Sequence, residues 1–355
     1  MNYNEFLEYV HDNIKDYLPS TYKDATVQIR SVKKNNGLEL DGMTVNREDE
    51  VIVPTIYLNN RYDSNASIEQ VNETLKKLAE EYVEHDNNVG IDVKSLIDYE
   101  KMKDKCFLKV VNFKQNVGFL KDVPYKQFGN LAAFCQVMIG ENNDGTMTMN
   151  VTDKYLERNQ IEFEEVFNNT LDNSSKILPY QFHSMSSIVQ DIMDENNIDS
   201  EAIIDPEEMG PSMYVMTNTL KMNGAATILY PGALENVGNK LHSDFYVLPS
   251  SIHEVIIIPK DDSIRYKELE EMVTAVNSSE LAKEEILSYK VYEYDRNTHE
   301  LYISSDHSVV IPAELEMREL EKEAAAGKNS FEKIAAKFWN NEKSANYSVD
   351  NEIDM

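Results

Sequence analysis

Between residues 213 and 303 the hydrophobic period of the chain switches back and forth, and the order of those switches narrows the folds open to it. Residues 213–217 alternate as a strand does. Residues 225–230 run apolar into a short helix predicted over about 231–241. Residues 244–248 and 254–258 are strand-sized, with Pro249, Ser250 and Ser251 between them. A helix over 264–276 aligns Leu269, Met272, Val273 and Val276 on one face. Residues 291–294 and 301–303 close the pattern as a hairpin around Asp295, Arg296 and Asn297. Strands and helices interleave without strict β-α-β-α alternation. That order predicts an α+β fold with mixed or antiparallel sheets and packed helices, not a doubly wound sheet.

The first ninety residues read as helix, strands, helix. Phe6, Val10, Ile14 and Leu18 recur every four residues, and Pro19 ends that helix. Residues 26–33 alternate as a strand, and a further strand is expected over 51–58, with Pro54 placing it near an edge. Asn36-Gly37 and Asp41-Gly42 are both turn dipeptides. Ser67 followed by Gln70 is a capping box, opening a helix whose stripe is Ile68, Val71, Leu75, Leu78 and Tyr82. The polar stretch 85–90 marks a first domain boundary.

A helix near 93–102, a strand over 106–113 and a hairpin around residues 141–145 follow. Phe163, Val166, Phe167 and Leu171 then form the inward face of a helix. Another helix is expected over about 186–195, with the serines around it as N-caps. The pattern divides the chain into an N-terminal helix–strands–helix domain (1–90), an α+β main domain (91–311) and a C-terminal helical extension (312–355). In the extension, Phe331, Ile334, Ala335, Phe338 and Trp339 fall at helical spacing. Such an amphipathic helix can lie in the groove of a protein partner or dock on its own domain. The last ~15 residues are polar and are expected to be disordered.

Charge excludes two classes of partner. The chain carries 63 acidic against 34 basic residues, a net −29 over 355 residues. Phosphate backbones and anionic lipid need clustered lysine and arginine, so neither direct nucleic-acid binding nor membrane docking is expected. No run of ~18 apolar residues is present, and the start, Met1 to Glu5, has neither a basic nor an apolar segment of a signal peptide. Two cysteines, Cys106 and Cys135, both in apolar surroundings, are read as buried thiols and supply no disulfide framework or cysteine-rich zinc site. These features point to a cytoplasmic protein.

Chemistry-bearing motifs are sparse. There is no GxGxxG, Walker loop, HExxH, GxSxG or Cx₂C, and no cofactor is implied. The best cluster is His242, Asp244, Ser251, His253 and Glu254. On a strand His242 and Asp244 share a face, as do Ser251 and His253. If the two strands pair, His242, Asp244 and His253 could hold a divalent metal, or act as a base with its orienting acid. The plainer expectation is strand-end histidines satisfied by neighbours, with Glu254 in an edge or inter-strand ion pair.

Residues 18–22 (LPSTY), 34–37 (KNNG), 54–58 (PTIYL) and 248–254 (LPSSIHE) resemble an uncharacterised domain-of-unknown-function family of Gram-positive gut anaerobes. The likeness covers most of 1–305. A weaker one, in element order over 27–82 and 213–301, is to an uncharacterised family of bacilli. The resemblance implies a bacterial cytosolic protein and hands over no catalytic residues. The favoured expectation is a non-enzymatic binding or accessory protein. The alternatives are a metal-assisted hydrolase built on His242, Asp244 and His253, and an acidic nucleic-acid mimic that inhibits a basic partner.

Overall fold

A computed structural model describes residues 1–48, 53–86, 93–142, 145–196, 212–261 and 263–318. Helix α1 (Tyr3–Asn13) opens on a capping box: the Asn2 side chain accepts from Glu5 N–H while the Glu5 carboxylate accepts from Asn2 N–H. Strands β1 (Thr26–Lys33), β2 (Glu39–Asn46) and β3 (Ile56–Tyr57) form a three-stranded antiparallel sheet. Helix α2 (Ile68–Asp86) starts at the box expected from sequence, with reciprocal Ser67–Gln70 bonds of 2.8 and 3.3 Å. Phe6, Val10, Leu75, Leu78 and Tyr82 bury against Met43, Val45 and Ile56 of the sheet. Each large apolar side chain so buried contributes about 1.5–3 kcal/mol. The Tyr82 hydroxyl donates to the Val45 carbonyl and accepts from its N–H, so the ring is tied to β2 at its polar end too.

Helices α3 (Val93–Leu96) and α4 (Tyr99–Met102) replace the single helix expected near 93–102, because Asp98 between them is extended. Strands β4 (Cys106–Asn112), β5 (Lys126–Phe128), β6 (Leu131–Asn142) and β7 (Gly145–Asn150) build a four-stranded sheet. The long β6 has β4 on one side and β5, then β7, on the other. Helices α5 (Asp153–Asn159) and α6 (Phe163–Ile177) follow.

The rest of the chain supplies β8 (Tyr180–Ser184), α7 (Met185–Glu195), β9 (Tyr214–Asn218), α8 (Ala233–Leu241), β10 (Phe245–Leu248) and β11 (Val255–Pro259). It continues with α9 (Tyr266–Ser279), β12 (Tyr292–Asp295), β13 (Glu300–Ile303), β14 (Val309–Ile311) and α10 (Ala313–Glu316). Its strands form a seven-stranded sheet in the order β14-β13-β12-β10-β11-β9-β8, every neighbour antiparallel. The fold is α+β.

The two larger sheets share one core. Phe245, Val247, Val255 and Ile257 pack in the same cluster as Cys106, Leu108, Ala133 and Cys135, and α6 adds Phe167 and Leu171. A 3₁₀ helix, Gly224–Leu229, lies wholly buried in that cluster. On the opposite face of the seven-stranded sheet, Tyr246, Leu248 and Ile258 meet Leu269 and Val273 of α9. Strand β10 is therefore covered on both faces, and all four of its residues are buried. Both cysteines are free and buried, and burial pushes each thiol up to about 12. The remaining face of the four-stranded sheet carries Val111, Ala132 and Phe134, met by Leu120 and Val123.

Two further expectations change. The strand expected over 51–58 is confined, among described residues, to Ile56–Tyr57, since Pro54 offers no N–H to a ladder. Asp41-Gly42 is not a turn. Gly42 sits inside β2 opposite Arg30 and Tyr57, where a Cβ would strike the Thr55 side chain. The short strands β5 and β8 carry no periodicity that would have announced them. Of the C-terminal extension, α10 belongs to the described residues. Its backbone and the Glu316 carboxylate engage the start of α8, accepting from Gly232 N–H and Glu235 N–H at 2.9 and 2.8 Å. Phe331, Ile334, Phe338 and Trp339 lie outside the described residues. No helix among the described residues is long and apolar enough to cross a membrane.

Candidate functional site

The tip of the β1–β2 hairpin is built to be inserted. Asn36 takes the left-handed conformation (φ 57°) that the Asn36-Gly37 pair predicts, followed by Gly37 at φ 65°. That bend buries the Asn36 side chain among segments distant in sequence. Its N–H donates to Asn116 Oδ1 (2.9 Å), and Asn116 Nδ2 returns a bond to Asn36 Oδ1 (3.0 Å). Asn36 Nδ2 donates to the carbonyls of Lys283 (2.7 Å) and Ile286 (2.6 Å), and Asn35 Nδ2 to that of Glu284 (2.6 Å). Asn112 Nδ2 reaches the Leu287 carbonyl at 3.1 Å, and Asn130 Nδ2 reaches Ser288 Oγ at 2.9 Å. Five asparagines thus join the hairpin tip, the four-stranded sheet and the segment after α9.

A cavity of about 220 Å³ lies beneath this junction. The hairpin contributes Val32, Lys33, Lys34 and Asn35; the sheet contributes Lys109, Val111, Phe134, Gln136 and Asn150; Asn116 and Phe119 complete it. The β4–β6 register explains the sheet's share. Cys106, Leu108 and Val110 point into the main core, so Lys109 and Val111 must face the other way, and Lys109 stands opposite Phe134. Among the described residues the lining holds three lysines, four side-chain amides and no carboxylate.

Two of the lining groups lack partners among the described residues. Asn35 Oδ1 is buried with no hydrogen bond there. Lys109 is half-buried, and its Nζ makes no hydrogen bond or ion pair among the described residues. Burial, reinforced by the nearby charge of Lys34, holds the Lys109 ammonium down to about 8 from the usual 10.5. Lys34 Nζ lies 4.1 Å above the Tyr57 ring, and Lys33 extends towards Glu39 at 4.0 Å. Gln136 Nε2 donates to Asn150 Oδ1 (2.8 Å), and Gln136 Oε1 accepts from Asn223 Nδ2 (3.4 Å).

The residues singled out from sequence are distributed around this geometry. His242 does not lie on a strand: it caps the C-terminus of α8 in a left-handed conformation, exposed. Asp244 accepts from Arg296 N–H at 3.1 Å, and its carbonyl accepts from Lys260 N–H at 2.8 Å. His253 sits at the other end of the β10–β11 hairpin, so its length, on the order of 13 Å, separates the two. The strands pair, but in a register that keeps His242, Asp244 and His253 apart. Among the described residues no group of three or more His, Cys, Asp and Glu is placed to hold a metal.

Ser251, His253 and Glu254 lie outside the cavity lining, and one of them is linked to it by hydrogen bonds. Ser251 Oγ accepts from His253 N–H (2.9 Å), and the His253 carbonyl accepts from the Thr217 hydroxyl (2.7 Å). His253 Nδ1 accepts from Asn223 N–H (3.4 Å), and Nε2 lies 4.0 Å from Glu285. Through Asn223 the imidazole is therefore connected to Gln136 in the cavity lining. Glu254 forms no ion pair among the described residues. It is half-buried, and burial raises its carboxyl, partly offset by nearby His253 and by a hydrogen bond from Ser251. It borders a separate groove of about 640 Å³ between α7 and the sheet, whose rim mixes Asp191, Glu195 and Lys221.

The strand that carries Lys109 is legible in the sequence, but a lone lysine has no motif spacing to mark its role. The available signal was its position: the one charged residue among Cys106, Phe107, Leu108, Val110 and Val111. The asparagines gave no comparable signal, because their partners are distant in sequence.

Residues 3–296 match the model of a family described as a family of unknown function (DUF5688). No curated protein and no solved structure matches the chain.

Proposed function

The chain belongs to the DUF5688 family, and we propose that it is a binding protein whose site is the lysine-lined cavity under the hairpin tip, taking a small anionic molecule. The observation that supports this is the lining itself. In a chain with 63 acidic and 34 basic residues, the cavity gathers Lys33, Lys34 and Lys109 with no carboxylate among its described lining residues. A half-buried ammonium without a counter-charge is costly, and a bound anion supplies the missing partner. The side-chain amides add uncharged hydrogen-bonding groups that orient such a ligand. At about 220 Å³ the cavity suits a compact metabolite and not a polymer.

The test is thermal unfolding with inorganic phosphate or malonate against sodium chloride at matched ionic strength. Either anion should raise Tm beyond the chloride control in the wild type and fail to do so in Lys109→Met. Equal shifts for all three salts, or an undiminished shift in Lys109→Met, would remove the cavity as an anion site. Ionic strength must be matched because screening alone changes the stability of so acidic a chain.

A further inference from the structure

We propose that the ligand is a small hydroxylated aldehyde or ketone bearing a phosphate or carboxylate, and that Lys109 captures it as an imine. The inference rests on the cavity being an anion site, and adds a chemical identity to the ligand. Three groups define it. Lys34, over the Tyr57 ring, and Lys33, which also faces Glu39 at 4.0 Å, bring positive charge to the hairpin side for the anionic end. Asn35 lines the cavity, and its Oδ1 is buried with no donor among the described residues, an acceptor that a ligand hydroxyl would satisfy. Among the described residues Lys109 Nζ has no acid to hold it as an ammonium, and burial beside Lys34 raises the fraction present as the neutral, nucleophilic amine. Phosphate or carboxylate alone would use the first of these and leave the other two unexplained.

The step balances without an oxidant or reductant. The neutral amine attacks the carbonyl carbon, giving a carbinolamine. The carbonyl C=O bond is then lost and C=N forms. The carbonyl oxygen departs as one water molecule, carrying the two hydrogens of the amine. Addition of water reverses the sequence, so the capture is reversible.

Glyceraldehyde 3-phosphate carries all three groups and serves as the probe. The full chain is incubated with it near neutral pH, reduced with borohydride, digested, and mapped by mass spectrometry. Lys109 should carry the reduced adduct in excess of any other lysine by more than about tenfold, as the depression of its ammonium implies. Excess inorganic phosphate should suppress that label. Lys109→Arg, which keeps the charge and cannot form the imine, should lose the label while retaining the phosphate-dependent rise in Tm. Label spread over surface lysines with no preference for Lys109 overturns the imine. If phosphate still raises Tm in that case, the anion site stands and only the carbonyl chemistry falls; if it does not, both fall. Circular dichroism of each variant shows whether a lost label reflects lost folding, and Lys109→Arg labelled elsewhere as strongly as the wild type at Lys109 would also count against the proposal.

Discussion

Asn36 and Asn116, 80 residues apart, hydrogen-bond each other twice, backbone N–H to side chain in one direction and side chain to side chain in the other. Asn36→Ala removes the return bond and strands the carbonyls of Lys283 and Ile286 together with a donor of Asn116. It also puts an alanine at φ 57°. Urea unfolding should show a loss of about 3 kcal/mol, the sum of a few buried bonds and modest backbone strain. Asn36→Gly, which relieves the strain alone, should lose about 1 kcal/mol less. An alanine variant indistinguishable from the wild type would mean that these bonds do not hold the tip.

Lys109 costs stability in exchange for its place in the cavity. Its folded-state pKa of about 8 lies below the ordinary 10.5, so below pH 8 the folded chain bears the full penalty of a poorly solvated ammonium. Between 8 and 10.5 the unfolded chain binds more protons than the folded one, so this contribution to stability rises with pH. Lys109→Met should be more stable than the wild type at pH 7 by on the order of 1–3 kcal/mol. The difference should shrink as pH climbs through that window. Denaturant titrations at several pH values read it directly.

Glu316 behaves in the opposite sense. Burial raises its carboxyl to about 8, although it accepts from N–H groups at the start of α8. Between the ordinary 4.5 and about 8 the folded chain holds a proton that the unfolded chain has released, so this contribution falls as pH rises. Glu316→Gln keeps an acceptor and cannot ionise. It should gain about 1–2 kcal/mol over the wild type at pH 8 and nothing at pH 4.5. A constant offset across that range would place the effect in packing.

Gly224 tolerates no side chain. A Cβ there would meet Thr217 Oγ1 and the His253 carbonyl well inside contact distance and stand 2.8 Å from Asn218 N. Those atoms belong to a bonded pair, Thr217 Oγ1 donating to His253, so neither can yield cheaply. Gly224→Ala should cost more than about 3 kcal/mol. Gly118→Ala, with nothing within 4 Å of its Cβ, should stay within about 0.5 kcal/mol of the wild type in the same unfolding assay.

Much of the scaffold was legible because its signals are local. The Ser67–Gln70 box, the Asn36-Gly37 bend, β1 and the β6–β7 hairpin all follow from a few adjacent side chains and a period. Asp41-Gly42 misled because a glycine that makes room for Thr55 looks the same in sequence as one that makes a turn. The cavity was not legible for a different reason. It is assembled from residues 32–35, from four residues between 109 and 119, and from 134, 136 and 150, and no periodicity says which of these face one another across space. His242, Asp244 and His253 looked convergent because their spacing suits a strand. His242 instead ends a helix, and the hairpin register sends His253 to the far end.

The asparagine junction also sets an order of events during synthesis. Residues 3–83 bury their own cluster from contacts within that stretch, so the first unit can become compact while the rest of the chain is still being made. Its hairpin tip has no complete socket until the carbonyls of Lys283, Glu284 and Ile286 have left the ribosome, almost two hundred and fifty residues later. A chain interrupted before residue 283 therefore carries a folded beginning whose hairpin tip lacks the carbonyls that hold it against the main unit.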